Sequence, residues 1–142
     1  MQKTSVMIIN DSRSMRLFLE EVVKSFADCE IIGSYFDGSA ALDALRIKKP
    51  DVILLDLEMP NMDGLTFLEK LPQDQKYPTI ILSNYALDGS EMINQAIGLG
   101  AVSTLVPPPS NKKEDLEKFK STLHHRITMA SLKSSRFTLE CK

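Results

Sequence analysis

The sequence predicts an α/β fold in which a doubly wound parallel sheet of five strands is covered by helices on both faces. Three observations carry that expectation. Short apolar runs alternate with longer stretches of helical periodicity, five times in succession. The connections between them are short. Right-handed crossovers then leave few arrangements other than a parallel sheet sandwiched between helices. A chain of 142 residues fits one domain, and a domain of this size buries roughly two-thirds of its unfolded surface, enough for a core without staples.

Ser5 to Ile9 reads as the first buried strand, ending in the polar cluster Asn10-Asp11-Ser12, which suits a helix start. Met15, Phe18, Leu19, Val22, Val23 and Phe26 then recur at helical spacing, with Arg16, Glu20, Glu21 and Lys24 on other faces. Glu30 to Tyr35 is the second strand, and Asp37-Gly38-Ser39 turns into a helix with Ala41, Ala44 and Leu45 on its apolar face. The third strand is Val52 to Leu55, four apolar residues that deliver Asp56 to its end. Pro60 and the turn pair Asp63-Gly64 take the chain out of the sheet, and Leu65 to Leu71 is a short helix stopped by Pro72. Pro78 to Leu82 is a fourth strand ending in Ser83-Asn84, followed by a helix from Asp88 to Leu99 with Gly100 as its C-terminal cap. Ala101 to Val106 is a less apolar fifth strand. Beyond the stiff connector Pro107-Pro108-Pro109-Ser110, the residues Leu116, Phe119, Leu123, Ile127 and Ala130 trace a long last helix. Residues 1–131 are thus one domain and 132–142 a tail or the start of a linker.

Composition narrows the function classes. Seventeen basic and nineteen acidic residues give a formal charge of -2 without a basic block, so no nucleic-acid or anionic-membrane surface is expected. No apolar run is long enough for a membrane span. Cys29 and Cys141 lack metal-ligand or redox spacing, no secretory segment is evident, and a cytoplasmic setting is expected. His124 and His125 are adjacent, do not share a helical face, and read as surface residues.

In a sheet of this kind the ligand site lies beyond the carboxyl ends of the strands, at the topological switch point. The polar residues there are Asn10 and Asp11, Asp56, and Ser83. With the flavodoxin-like strand order 2-1-3-4-5 assumed, Asp11 and Asp56 face each other across a narrow gap. Paired carboxylates repel, and the cost is relieved by a shared proton or a divalent cation. Mg2+ suits the gap, being a hard ion that takes one or two carboxylates and leaves positions for phosphate oxygens. Asp56 is then a nucleophile toward phosphorus, and Ser83 is placed to donate to a phosphoryl oxygen.

Asn10-Asp11-Ser12 with Met15-Arg16, the run Asp56-Leu57-Glu58-Met59-Pro60-Asn61-Met62-Asp63-Gly64, Ser83, and Gly100-Ala101 together resemble a two-component response-regulator receiver domain. The wording around Asp56 is most similar to receivers of chemotaxis methylesterases. The resemblance implies that Asp56 accepts a phosphoryl group from a histidine kinase. It implies Mg2+ held by Asp11, Asp56 and the backbone carbonyl of Glu58, with Asn10 acting through water. It further implies that Ser83 and the switch position Thr104 pass the change to the face of the fourth helix, fifth strand and fifth helix, where an output domain, a downstream protein or a second copy in a homodimer docks. The chain is accordingly expected to be a phosphoacceptor rather than an enzyme: no Gly-x-Ser-x-Gly elbow occurs in it, and an esterase domain outside it stays open.

Two positions depart from the family. Asn10 replaces the first acid after strand one, which removes a charge and should lower cation affinity. Pro107 occupies the place of the family lysine, so a charge-assisted hydrogen bond, on the order of 1.5–3 kcal/mol, has no donor there. Lys112, Lys113 and Arg13 are the alternative cations, and Pro107-Pro108 is a candidate cis bond. Two rival readings follow: a degenerate receiver acting as a phosphorylation-independent interaction module, and a haloacid-dehalogenase-like phosphatase. The second wants Asp-x-Asp where this chain has Asp56-Leu57-Glu58.

Overall fold

The computed structural model describes residues 3–57, 63–71, 77–83 and 91–132. In chain order its elements are β1 (Thr4–Ile9), α1 (Arg13–Lys24), β2 (Cys29–Tyr35), α2 (Gly38–Ala44), β3 (Val52–Asp56), α3 (Gly64–Lys70), β4 (Thr79–Leu82), α4 (Glu91–Gly98), β5 (Ala101–Leu105) and α5 (Lys113–Ser131). The strands form one parallel sheet in the order β2-β1-β3-β4-β5, the flavodoxin-like arrangement assumed from the sequence. The expected contributions of Glu58, Pro60, Pro72 and Asn84, and the start of the fourth helix at Asp88, lie outside the described residues.

Why these runs are strands is visible in their burial. Val52, Ile53, Leu54 and Leu55 are all wholly inaccessible, as expected of a strand covered on both faces. Successive side chains then point to opposite layers. Val6, Ile8, Val52, Leu54, Ile80 and Leu82 pack with α1 and α5, whereas Met7, Ile9, Ile53, Leu55 and Ile81 pack with α2, α3 and α4. Asp56 has the parity of Val52 and Leu54, so its carboxylate leaves the sheet on the side covered by α1 and α5.

The register that positions Asp56 is pinned at the opposite end of the sheet. Buried Asp51 accepts hydrogen bonds at Oδ2 from the backbone N–H of Ser5 (2.9 Å) and from Ser5 Oγ (3.2 Å), and its own N–H donates to Ser5 Oγ (3.0 Å) and to the Ser5 carbonyl (2.9 Å). A one-residue slip between β1 and β3 would break this clasp and turn their apolar side chains to the wrong layers.

Three helices start on side-chain caps. Ser12 Oγ accepts from Met15 N–H, Asp37 Oδ1 from Ala40 N–H, and Asp63 Oδ1 from Thr66 N–H, each such cap being worth about 1 kcal/mol. Of the polar cluster Asn10-Asp11-Ser12 it is thus Ser12 that caps α1. Gly64 sits where α3 folds back against the end of β3: its N–H donates to Leu57 O (2.9 Å), and a Cβ there would stand 2.7 Å from Leu57 Cα. Gly100 closes α4 with φ +114°, a left-handed conformation that favours glycine. The Pro107-Pro108 bond, a candidate for cis, is trans, as are all peptide bonds among the described residues. No helix among those residues is long and apolar enough to cross a membrane.

Candidate functional site at the strand exits

Strand register brings the polar residues together. Ile9 is paired with Leu55, so Asn10 and Asp56 emerge side by side with Asp11 one residue farther on. Asp56 is paired with Leu82, which places Ser83 just beyond it, and Ser83 N–H donates to Leu105 O at 3.1 Å, fastening this exit to β5. Asn10, Asp11, Ser12, Asp56, Ser83 and Pro107 line one cavity of about 160 Å³, closed below by Met15, Leu19, Leu82 and Phe119.

Each side chain has a local reason for its place. Asn10, only 6% exposed, accepts from Ser12 N–H at Oδ1 (2.9 Å), while its backbone carbonyl accepts from Arg16 Nη1 (2.7 Å). The amide oxygen therefore shapes the turn from β1 into α1, a duty separate from the water-mediated metal contact expected of it. Its second lone pair is the one available for such a water. Asp11 lies at the exposed rim, Asp56 is half-buried and Ser83 is buried.

The donor set of this cavity is oxygen throughout, from two carboxylates, an amide and hydroxyls. That set of oxygen donors fits a hard divalent cation such as Mg2+. None of the described lining residues is a lysine or arginine. Pro107 stands at the wall as the alignment of motifs implied, and Lys112, Lys113 and Arg13 are not part of the lining.

Thr104 is not in this cavity. It lines a neighbouring groove of about 460 Å³ between β5 and α5, together with Pro108, Pro109 and Arg126; Pro107 borders both spaces. Arg126, which sequence reasoning missed, donates from Nη1 to Ser103 Oγ and to the Thr104 carbonyl (3.1 Å), tying α5 to the switch position. Its only sequence signal was a cation on the sheet-facing side of the last helix. His124, read as a surface residue, does keep an exposed side chain and is also paired with Asp28 at 2.8 Å.

Comparison with known proteins is consistent with this geometry. A family model described as the response regulator receiver domain matches residues 6–119. The protein-glutamate methylesterase/protein-glutamine glutaminase of Nitrosomonas europaea is 39% identical over 131 residues, 92% of this chain and 37% of that enzyme. The protein of the same name from Bdellovibrio bacteriovorus is 39% identical over 126 residues, 89% of this chain and 36% of that enzyme. Among solved structures, the response regulator domain of Thermotoga maritima CheB superposes with a TM-score of 0.81 at 27% identity, covering 92% of this chain and 97% of that one. CheY6 from R. sphaeroides, solved with the P1 domain of CheA3, gives 0.72 at 29% identity over 90% of this chain and 99% of that one. The chain thus spans little more than a third of the curated relatives. Those relatives correct the non-enzyme expectation: the proteins that share this sequence are named as enzymes, and the matching part is one portion of each.

Proposed function

Since the chain belongs to the response regulator receiver domain family, we propose that Asp56 is its phosphoacceptor and that a histidine kinase is the donor. The observation that carries this reading is the gathering of Asp11, Asp56 and Ser83 around one cavity at adjacent strand exits. In the transfer, a carboxylate oxygen of Asp56 attacks phosphorus and the bond from phosphorus to the kinase imidazole nitrogen breaks. The electron pair returns to the ring, leaving an acyl phosphate on Asp56. Hydrolysis by water later restores the carboxylate and releases inorganic phosphate.

Mg2+, held by Asp11, Asp56 and the Glu58 carbonyl with Asn10 reached through a water, would offset the negative charge of the transferred group. Ser83 donates its hydroxyl to a phosphoryl oxygen, and the clasp of Ser83 N–H on Leu105 O carries its displacement into β5. Thr104, held at its carbonyl by Arg126, sits next in that path. A phosphoryl group adds roughly -1.5 to -2 charge, large against the few kcal/mol that separate two loop arrangements.

The output we assign is control of protein-glutamate methylesterase activity in a cytoplasmic chemotaxis pathway, through the face of α4, β5 and α5. It is supported by relatives that carry that enzyme name. A second reading, a phosphorylation-independent interaction module, is favoured by one observation: no cation lines the described wall of the cavity where Pro107 stands.

Incubation with Mg2+ and acetyl phosphate, followed by intact mass, separates the two. The proposal expects one phosphoryl adduct that disappears on omission of Mg2+ and in Asp56→Asn. An adduct that survives in Asp56→Asn, or no adduct in the parent protein, would establish the interaction module or another acceptor instead.

A further inference from the structure

At the other end of the sheet, where β2 begins, three side chains of different chemistry converge. His124 Nε2, from the middle of α5, lies 2.8 Å from Asp28 Oδ1, and Cys29 Sγ lies 3.6 Å from the same oxygen. The three potential ligand atoms are all within 4.8 Å of one another, and no other group of three His, Cys, Asp or Glu side chains among the described residues converges in this way. The imidazole is further held by the ring of Phe26, centroid to centroid 4.6 Å. Cys29 itself is buried, at 5% exposure, so the thiol is presented from the core while Asp28 and His124 close over it from the surface.

We propose that Asp28, Cys29 and His124 form a binding site for a borderline divalent cation of the Zn2+ class, with the fourth position open to water. A tetrahedral ion with bonds of about 2.0–2.3 Å holds its ligands about 3.3–3.8 Å apart. The Asp28–Cys29 spacing of 3.6 Å falls within that range, and the Asp28–His124 pair, at 2.8 Å, needs to open by roughly half an ångström to admit the ion. Carboxylate, imidazole and thiolate together select against Mg2+ and Ca2+, which demand oxygen throughout, so this site and the acidic cavity would sort cations by type.

The proton balance is explicit. Burial, with the neighbouring Asp28 charge and hydrogen bond, pushes the Cys29 thiol up to about 12, so without a cation it is neutral and a weak nucleophile. Binding forms the sulfur–metal bond, and the thiol proton leaves to solvent. The cation would then tie α5 to the entrance of β2 more firmly than a hydrogen bond between half-exposed groups can.

The test uses Co2+ as probe on the full chain carrying Cys141→Ser, which leaves Cys29 as its single thiol. One equivalent of Co2+ should produce a thiolate-to-metal charge-transfer absorption that Zn2+ abolishes and excess Mg2+ leaves unchanged. His124→Gln retains a hydrogen-bond donor for Asp28 at a position whose side chain is 41% exposed, so the fold tolerates it. It should weaken Co2+ binding by more than about tenfold, because even the partners of metal ligands are worth 10–100-fold. Absence of the charge-transfer band, or equal affinity in His124→Gln, would overturn the site and leave the three residues as a hydrogen-bonded chain.

Discussion

Asp28 and Gly64 show how single residues decide local stability here by different physics. The hydrogen bond from His124 is the main influence holding the Asp28 carboxyl below its ordinary value of 3.8, with the charge of His124 acting in the same direction and burial against it. A carboxyl whose native value lies below its unfolded one adds stability above the unfolded value, and this is lost as pH falls through the native one. In metal-free buffer, urea unfolding should therefore show stability declining on acidification below about pH 4, with Asp28→Asn flattening that decline. At Gly64 the constraint is steric. A methyl group 2.7 Å from Leu57 Cα meets backbone that cannot rotate away, and Gly64→Ala should cost about 1–3 kcal/mol in the same measurement. The turn character of Asp63-Gly64 was legible in the sequence; the reason only glycine serves was not, because it lies in the return of α3 onto Leu57. The Asp28–His124 pair was equally invisible, since 96 positions separate its partners.

At the level of elements, the strands followed from apolar runs and their parallel pairing from the handedness of crossovers, whereas the order β2-β1-β3-β4-β5 was an assumption that the sheet bears out. The side to which Asp56 points follows from counting alternate residues along β3. What sequence could not supply was the second function of polar residues near the site. Asn10 reads as a weakened metal ligand, yet its amide oxygen also holds the first turn of α1. Arg126 belongs to no motif in the sequence, yet it clamps β5 at Thr104. Both depend on which backbone groups a neighbouring element leaves within reach. Asp51 is the element-level counterpart: its carboxylate fixes β1 against β3 through buried bonds to Ser5. Charge-assisted bonds of this kind are worth about 1.5–3 kcal/mol, and orphaning Ser5 adds to the loss. Asp51→Ala should lower stability by about 2–4 kcal/mol in denaturant titrations, and hydrogen exchange should quicken first at Ser5 and Val6.

For the whole molecule, the central sheet divides the interior into two apolar layers, with Phe67 in one and Leu123 in the other. Side chains separated by a sheet share no cavity. Phe67→Leu and Leu123→Ala should therefore be additive within about 0.5 kcal/mol in a double-mutant cycle. α5 belongs to one layer but reaches both poles of the sheet. Phe119, tilted against Phe18 with ring centroids 5.7 Å apart, lines the acidic cavity, and five residues later His124 is bonded beside the start of β2. Those five residues are about 7.5 Å of helix. Sliding α5 by one residue's rise, about 1.5 Å, would part a bond of 2.8 Å, whereas tilting about His124 would preserve it. With α5 also held at Arg126, a tilt that keeps both ties has its fulcrum near His124, and relaxation measurements should show larger amplitudes toward Lys113 than near Asp28. A cation seated at the fulcrum would stiffen the pivot without entering the acidic cavity.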